Sequence, residues 1–253
     1  MESPFDFSGK RVLITGGTRG IGAALVRGFH DAGAEILLTG SDSARLRDLE
    51  NIQRAQGMDR ITYLAADFND PLAFAGFLAE LAALPTLDVC INNAGINRNN
   101  PLPEIVAADL DRIMQVNLRA PMHICRALCP AMLRTPGGGR IVNVSSIWSL
   151  IAKEGRAVYG AAKAGLSGFT RHIAVDLAKY NILVNSLSPG FTRTELTESM
   201  LTPEEIRELT AQVPLGRIAE PVEMVRVAMF LCSGLNSFIT GQNIVVDGGF
   251  TIV

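Results

Sequence analysis

The sequence predicts an α/β fold: a single doubly wound domain in which seven parallel strands form a sheet with helices on both faces. Three observations favour this class. Short apolar runs rich in β-forming residues alternate with helical patterns along the chain. Hydrophobic residues make up 48% of the 253 residues, which is enough for a sheet covered on both faces. No repeat or linker divides the chain, so residues 1–253 are predicted to form one domain.

Composition argues against several classes of partner. The net charge is -2 and the pI about 6.0, so there is no basic surface for nucleic acid. No apolar stretch reaches the ~20 residues of a membrane helix. The N-terminus lacks a secretory signal, and we expect a cytoplasmic protein with no membrane partner. The cysteines lack zinc-like spacing, which predicts buried reduced thiols and no metal site: Cys90, Cys125, Cys129 and Cys232.

The first strand is predicted over Arg11 to Thr15 and the first helix over Ile21 to Ala32, with a glycine-rich turn between them. A strand, a glycine turn and a helix form the context in which a helix N-terminus receives a phosphate. Glycines there let a pyrophosphate approach backbone N–H groups, although an ordinary βα turn remains an alternative. The glycines are Gly16, Gly17, Gly20 and Gly22.

The second strand, Ala34 to Thr39, completes a βαβ unit and bears on cofactor choice. A dinucleotide fold usually carries an acid near the end of this strand to bind the ribose 2′-hydroxyl. Gly40 occupies that position, so the acid is missing. Arg19 would attract a 2′-phosphate, with Ser41 as a neighbour. The sequence thus favours NADP(H) over NAD(H), although Asp42 lies close enough to count against this.

The third and fourth strands are predicted over Ile61 to Ala65 and Leu87 to Ile91. Asp67 would either accept from an adenine amino group or cap the helix that begins near Pro71. The fourth strand runs into the sequence Asn-Asn-Ala-Gly at 92–95. Small residues and amides there suit close passage of a ribose or nicotinamide.

A long helix is predicted over Pro103 to Leu133, and it contains Asn117 and Pro121. Proline lacks the N–H that would bond the carbonyl of residue i-4, which here is Asn117. That carbonyl would be available to hold a water in a proton path. The alternative is that Pro121 only bends the helix.

The fifth strand, Arg140 to Val144, would deliver Ser146 to its carboxyl end, and the next helix is predicted over about Arg156 to Tyr180. Tyr159 and Lys163 lie one turn apart on that helix and share a face. An ammonium at ~4 Å is worth about 4 kcal/mol at an effective dielectric of ~20. That would bring a phenol pKa from ~10 to roughly 7, where Tyr159 acts as a general acid or base.

The rest of the chain closes the domain. A sixth strand is predicted over Ile182 to Leu187, a helix over Pro221 to Leu231 and a last strand over Asn243 to Val246. The polar segment at about 191–214, with a helix beginning near Thr202, breaks the βα rhythm. A segment of this kind beside a site predicts a substrate lid.

Several short motifs follow one another along the chain: TGxxxGIG at 15–22, NNAG at 92–95, Asn117, Ser146, YxxxK at 159–163, Pro189-Gly190 and DGG at 247–249. In this order they resemble the short-chain dehydrogenase/reductase family over nearly the whole chain. The resemblance implies a Rossmann domain, a homotetramer that packs the Asn117 and Tyr159 helices across a two-fold axis, and metal-free hydride transfer between a nicotinamide and a secondary alcohol or ketone.

The resemblance also implies roles for single residues. Tyr159 would exchange the proton with the substrate oxygen and Ser146, at the family's usual distance from it, would hold that oxygen. Lys163 would lower the tyrosine pKa, grip the ribose and pass protons through water on the Asn117 carbonyl. The predicted cofactor-binding residues are Gly16, Thr18, Arg19, Gly20, Ile21, Gly22, Ser41, Asp67, Asn93, Ala94, Gly95, Tyr159, Lys163, Pro189, Gly190 and Thr192.

The substrate is less well defined by the sequence. The segment 96–101 looks like the GIxRxxP of gluconate 5-dehydrogenase-like members, in which Arg98 would suit the carboxylate of a sugar acid and the asparagines a polyol. A solvated loop explains this segment equally well. Trp148 and Phe191 would add an apolar wall for a less polar ketone.

Two rival functions remain at this point. A 3-oxoacyl thioester reductase is the first, although carrier-docking arginines would fall at Gly137 and Tyr180, which are not basic. A non-catalytic cofactor-binding regulator on the same scaffold is the second. The presence of Asn117, Ser146, Tyr159 and Lys163 together argues against the regulator.

Overall fold

The computed structural model describes residues 5–195 and 202–253, and a seven-stranded parallel sheet lies at its centre. The spatial order of the strands, numbered along the chain, is 3-2-1-4-5-6-7. The order reverses between the first and fourth strands, which creates a crevice at their carboxyl ends. The strands are β1 (Arg11–Ile14), β2 (Glu35–Gly40), β3 (Ile61–Ala65), β4 (Val89–Asn92), β5 (Arg140–Val144), β6 (Leu183–Pro189) and β7 (Asn243–Val246).

Helices connect the strands and cover the sheet. The α-helices are α1 (Gly20–Asp31), α2 (Ser43–Ala55), α3 (Pro71–Ala82), α4 (Ala107–Met114), α5 (Ala120–Leu133), α6 (Ala157–Ala178), α7 (Pro203–Ala211) and α8 (Pro221–Cys232). A π-helical turn, Gln115–Arg119, joins α4 to α5, and short 3₁₀ turns occupy Leu102–Glu104, Ile147–Ser149 and Phe250–Ile252.

Alternating strand residues divide the core into two layers. Val12 and Ile14 of β1 pack on one face with Phe29 of α1 and Val225 of α8. Leu13, between them, packs on the opposite face with side chains of α3, α5 and α6. This alternation is the period of two expected for an extended strand. The apolar runs read in the sequence therefore serve a sheet that is buried on both sides.

The seven predicted strands are confirmed, and only two have notably different bounds. β4 begins two residues after the predicted Leu87, because the backbone N–H of Leu87 donates to the Thr135 hydroxyl at 3.2 Å. β6 continues to Pro189, because β7 pairs with it up to the partners Pro189 and Val246.

The predicted helix from Pro103 to Leu133 is wrong in its start and in its continuity. The α-helix begins at Ala107, after the 3₁₀ turn Leu102–Glu104. It is interrupted by the π-helical turn that contains Asn117. Pro121 lies just beyond this turn and has no N–H for a carbonyl four residues earlier, which favours a local change in helix geometry.

Three of the four thiols are buried as predicted. Cys90, Cys125 and Cys232 are buried, Cys129 is partly buried, and all four are free. Burial raises the pKa of Cys125 to about 12, so its thiol stays protonated and inert. In the part of the chain that the structure describes, no helix is long and apolar enough to cross a membrane, and no three metal-ligating side chains come together.

The segment at about 191–214 is described except for residues 196–201, which lie outside the described residues. The first part of this segment is hydrogen-bonded to the rest of the structure, because the backbone N–H of Arg193 donates to the carbonyl of Ala219 at 2.8 Å. The predicted helix is present as α7. Thr202 and Glu205 close its N-terminus with a reciprocal capping box.

Candidate active site

The end of β4 holds the glycine turn that follows β1. The hydroxyl of Thr15 accepts hydrogen bonds from the backbone N–H groups of Asn93 and Ala94, both at 3.0 Å. The Asn93 amide donates in return to the carbonyls of Thr15 and Gly16, both at 3.0 Å. The two motifs predicted to meet a cofactor are thus one hydrogen-bonded unit.

The glycines of the turn are required by its geometry. Gly16 and Gly20 have φ of 65° and 55°, a conformation that residues with a Cβ rarely adopt. A Cβ at Gly22 would meet the Gly16 carbonyl and approach the Asn93 amide nitrogen to 2.6 Å. Backbone without side chains therefore lies at the N-terminus of α1, and this cradle fits the pyrophosphate of a dinucleotide.

The position of the missing acid is filled by packing. A Cβ at Gly40 would lie 2.7 Å from the Thr18 methyl and 3.1 Å from a Leu46 methyl. An acidic side chain at residue 40 would have to displace both neighbours. The Thr18 side chain of the glycine turn therefore occupies the space that a side chain at residue 40 would need.

The carboxylate of Asp42, the nearest acidic side chain after β2, caps helix α2. One oxygen accepts from the backbone N–H groups of Ala44 and Arg45 at 2.9 and 3.0 Å, which makes Asp42 the N-cap of α2. Arg19 and Ser41 are exposed at the same edge. Contact of Arg19 and Ser41 with a 2′-phosphate stays a prediction.

Asp67 follows β3, and the structure tests one of its two predicted roles, the capping of α3. Its carboxylate accepts from the N–H of Asn69 at 2.9 Å. The N-cap of α3 is Asp70, which accepts from Leu72 and Ala73. The capping alternative for Asp67 is therefore wrong, and contact with an adenine stays a prediction.

Ser146 and Tyr159 meet at the carboxyl end of β5. Burial raises the pKa of Tyr159, while a hydrogen bond with Ser146 and the charge of Arg156 act in the opposite direction. The neighbouring Ser145 is used elsewhere, since its hydroxyl donates to the Lys163 carbonyl at 3.0 Å. The structure thus agrees with the prediction that Ser146, and not Ser145, partners the tyrosine.

Lys163 is buried, with 3% of its surface exposed, and its ammonium donates to the carbonyl of Val144 at 2.8 Å. Burial lowers the pKa of Lys163 to about 8. Its nitrogen lies 5.8 Å from the centre of the Tyr159 ring. The sequence predicted an ammonium at ~4 Å that brings the phenol pKa to roughly 7. The direction of this prediction is wrong, because the Tyr159 pKa is raised and Ser146 and Arg156, not Lys163, are the groups that oppose the rise.

Asn117 is fully buried in the π-helical turn and fastens the loop after β4. Its side-chain oxygen accepts from the N–H of Ile96 and its amide donates to the Ile96 carbonyl, both at 2.8 Å. A Cβ at Gly95 would lie 3.5 Å from both the Asn117 oxygen and the Lys163 nitrogen. Gly95, Asn117 and Lys163 therefore lie close together, and the Asn117 side chain positions the loop, a role that the sequence did not reveal; the proton path through the Asn117 carbonyl stays a prediction.

The Pro189-Gly190 motif and the DGG motif at 247–249 lie in contact with each other. A Cβ at Gly190 would lie 2.7 Å from the Cα of Asp247, so the end of β6 and the turn after β7 touch. Thr192 is buried and its hydroxyl donates to the Gly190 carbonyl at 3.2 Å. Thr192 therefore lies just after the end of β6, and its contact with a cofactor stays a prediction.

Three aromatic rings form a wall next to this edge. Trp148 lies 6.1 Å from Phe191 and 6.4 Å from Phe250, and Phe191 and Phe250 are 5.0 Å apart, all edge to face. Trp148 and Phe191 were predicted to line the site. Phe250 was missed, although an aromatic residue directly after the DGG motif was a usable signal.

Arg98 lies in a different environment. It is exposed and lines a small cavity with Asn100, Asp109, Gly155 and Val158, between the loop after β4 and helices α4 and α6. Asp109 is a carboxylate in the same lining. Arg98 thus lies near α4 and the start of α6, and its role toward a substrate stays a prediction.

Comparison with known proteins agrees with this geometry. A family model described as enoyl-(acyl carrier protein) reductase matches residues 16–251. Gluconate 5-dehydrogenase of Gluconobacter oxydans is 35% identical over 249 residues, which cover 98% of this chain and 97% of that protein. The 3-oxoacyl-(acyl-carrier-protein) reductase of Chlamydia pneumoniae is 35% identical and covers 96% of this chain and 97% of that one.

Solved structures give the same result. A gluconate 5-dehydrogenase from Burkholderia cenocepacia in complex with NADP and tartrate has a TM-score of 0.89 and 32% identity, with 98% of each chain covered. A protein from Beutenbergia cavernae, described as a putative NAD(P) dependent gluconate 5-dehydrogenase with bound NADP, has a TM-score of 0.91 and 35% identity, covering 99% of this chain and 100% of that one. With its fold, its glycine cradle and its Ser146, Tyr159 and Lys163 cluster, the chain belongs to the short-chain dehydrogenase/reductase family of NAD(P)-dependent oxidoreductases.

Proposed function

We propose that the protein is an NADP(H)-dependent oxidoreductase that interconverts a secondary alcohol and a ketone, with a sugar acid or polyol as substrate. One observation carries the proposal: Ser146, Tyr159 and Lys163 converge at the sheet edge that also holds the glycine cradle. The names of its gluconate 5-dehydrogenase relatives support the substrate class.

In this proposal the nicotinamide cofactor supplies or accepts the hydride, and the chain's side chains manage the oxygen and its proton. The phenol of Tyr159 gives its proton to a ketone oxygen during reduction and takes it back during alcohol oxidation. The Ser146 hydroxyl donates a hydrogen bond to the same oxygen. Lys163 replenishes the proton, by way of water on the Asn117 backbone carbonyl.

The proposed preference for NADP(H) rests on the adenosine end of the cradle. Gly40 leaves no acid to repel a 2′-phosphate, Asp42 is committed to α2, and Arg19 supplies a cation. Relatives solved with NADP support this choice. Arg19→Gln should weaken NADPH binding about tenfold or more and leave NADH binding nearly unchanged, measured by fluorescence titration of the reduced cofactors. Equal or tighter binding of NADH by the unmodified protein would contradict the preference.

Further assignments belong to the same proposal. Residues 191–214 act as a substrate lid, because the segment starts at Phe191 in the aromatic wall. The protein assembles as a homotetramer through the long helices that carry Asn117 and Tyr159. We place it in the cytoplasm, where free thiols such as those of Cys90 and Cys125 stay reduced.

The decisive experiment is an assay of cofactor oxidation and reduction against sugar acids, polyols, 3-oxoacyl thioesters and apolar ketones. Tyr159→Phe is assayed in parallel and should lose activity about a thousandfold while binding NADPH normally, because only the proton-transferring hydroxyl is removed. Turnover confined to sugar acids or polyols supports the proposal.

Turnover confined to thioesters would select the second candidate, a 3-oxoacyl thioester reductase, which the relative from Chlamydia pneumoniae supports. Cofactor binding without turnover of any member of the panel would favour a non-catalytic cofactor-binding regulator. Unchanged activity in Tyr159→Phe would reject the proposed chemistry.

A further inference from the structure

The turn before α6 aims two cations at one indole ring. The backbone N–H of Arg156 donates to the carbonyl of Lys153 at 3.2 Å, and Gly155, the third residue of this turn, has a φ of 73°. Glycine at the third position is typical of a type II turn. As a result, the Lys153 ammonium lies 5.8 Å and the Arg156 guanidinium 5.9 Å from the centre of the Trp148 ring.

These two charges lack acidic partners. Within residues 5–195 and 202–253, no carboxylate comes within ion-pairing distance of Lys153 or Arg156, although Glu154 lies between them in sequence. The guanidinium of Arg156 is also partly buried. A cation over an aromatic face keeps its charge available to a second group, whereas one in a salt bridge does not.

Helix α6 adds to the positive potential at this point. Over its described N-terminus no side chain caps the free N–H groups, and the first turn contains no acidic residue. A 22-residue helix presents the positive end of its dipole there. Arg156 is the N-cap residue itself, and Tyr159 follows three positions later on the same helix.

Arg156 and the reacting centre are close enough to interact. The positive charge of Arg156 opposes the rise in the Tyr159 pKa that burial causes. Arg156 also lies three positions before Tyr159 at the start of α6 and over the Trp148 ring, so an anion bound by the guanidinium would lie near the phenol, with Trp148 as part of its apolar border.

We infer that Arg156 and Lys153, over the face of Trp148, form an anion-binding subsite that holds the carboxylate of the substrate beside Tyr159. This inference rests on the proposed function and deepens it, because it assigns substrate charge recognition to the start of α6. A hydroxy acid or keto acid is then preferred over the uncharged polyol of the same length.

The test uses Trp148, the single tryptophan of the chain, as a reporter. The NADP⁺-loaded protein is titrated with gluconate and with glucitol, which has CH₂OH in place of the carboxylate. Gluconate should change the tryptophan emission at a lower concentration than glucitol. In Arg156→Gln the midpoint for gluconate, and its KM where turnover occurs, should rise about ten- to a hundredfold, with the glucitol midpoint changed less than about twofold.

Four further variants complete the design. Arg156→Lys keeps the charge and should restore most of the gluconate affinity, and Lys153→Gln should give a smaller loss than Arg156→Gln. Lys179→Gln is the matched control, because Lys179 lies 5.0 Å from the Tyr180 ring in a similar pair on the exposed end of α6. It should leave both midpoints unchanged. Arg98→Gln tests the competing carboxylate site.

The outcomes separate the inference from the proposed function. No tryptophan response to gluconate, an equal loss for gluconate and glucitol in Arg156→Gln, or a loss confined to Arg98→Gln would each overturn the inference. A gluconate response that depends on Arg156 without any turnover would support the subsite and reject the proposed function. Turnover of polyols alone, indifferent to Arg156, would keep the function and reject the subsite.

Discussion

Lys163 is held in the protein interior at a cost to stability. Its pKa falls from the ordinary 10.5 to about 8 on folding, which corresponds to about 3 kcal/mol against the charged form at pH 7. Lys163→Met should therefore raise the free energy of unfolding at pH 7 by up to this amount while abolishing activity. Urea denaturation at fixed protein concentration measures the first effect and the NADP(H) assay the second.

The sign of the pH dependence follows from the lowered pKa. The unfolded chain binds more protons than the folded one between about pH 8 and 10.5, so the penalty disappears as the pH rises through that interval. The gain from Lys163→Met should be largest at pH 7 and nearly absent at pH 10.5. Lys179→Met, on the exposed end of α6, is the control and should change stability little. A destabilised Lys163→Met protein at pH 7 would contradict the argument.

Tyr159 gives a second dependence on pH. Because burial raises its pKa, the phenol stays protonated at neutral pH, which suits a general acid. Ketone reduction should be nearly constant from pH 6 to 8, whereas alcohol oxidation, which needs the phenolate, should rise up to tenfold per pH unit above 7. Arg156→Gln should move the oxidation limb to higher pH. Profiles of kcat/KM in both directions test this, and an oxidation rate that falls from pH 7 to 9 would refute it.

At the scale of residues, the sequence predicted identities better than distances. The spacing of Tyr159 and Lys163 places both on one helix face, and the structure places the Lys163 nitrogen 5.8 Å from the centre of the Tyr159 ring. The pKa of each depends on burial and on atoms from other segments, such as the Val144 carbonyl that receives the lysine ammonium. No local pattern contains that information, which is why the predicted direction of the Tyr159 shift was wrong.

At the scale of elements, the β1–α1 turn depends on an absent side chain. Gly22→Ala would push a methyl group against the Gly16 carbonyl and the Asn93 amide. We expect destabilisation of about 2 kcal/mol and loss of NADPH binding, because the clamp from β4 opens. Thermal unfolding and cofactor titration measure both.

Gly76→Ala is the matched control for that substitution. Gly76 is also helical, in α3, but nothing lies within 4 Å of where its Cβ would be. Alanine there should stabilise the protein by about 0.5–1 kcal/mol and leave cofactor binding intact. Equal effects of the two alanines would show that helix propensity, and not the cradle, governs position 22.

The bounds of an element were predicted well where a single sequence pattern determines them, and poorly where more than one residue could begin or interrupt the element. The strands follow from apolar runs between turns, so β3, β5 and β7 were predicted residue for residue. Capping of α3 by Asp67 was one of two alternatives, and it is wrong because Asp70, directly before Pro71, is the capping residue. The π-helical turn at Gln115–Arg119 has no sequence signature beyond a nearby proline.

At the scale of the whole molecule, an exposed face of α6 tests the proposed assembly. Val175 lies on that face with 78% of its surface exposed. The unmodified protein should sediment at four times the 27.1 kDa of one chain. Val175→Glu should shift the mass to smaller species, because like charges would meet across the two-fold axis. Leu72→Glu, at an exposed leucine of α3, should not; an unchanged Val175→Glu mass would exclude this helix from the interface.

The overall architecture could be predicted because a small set of rules for βα connections leaves only a few possible topologies. The aromatic wall was predicted only in part: Trp148 and Phe191 were expected, but the contact of both rings with Phe250 exists only once the folded sheet brings the three segments together. The same holds for the cation pair at Lys153 and Arg156, whose relation to Trp148 is a property of one turn and not of a motif.

The bonds from Asn93 to the glycine turn also bear on how the protein is made. They join residues 77 and 78 positions apart, so a nascent chain that ends after the first βαβ unit has its glycines but not the amide that fixes them. We therefore expect the emerging polypeptide to acquire affinity for its dinucleotide only after β4 has left the ribosome, and a separately expressed first unit to bind none.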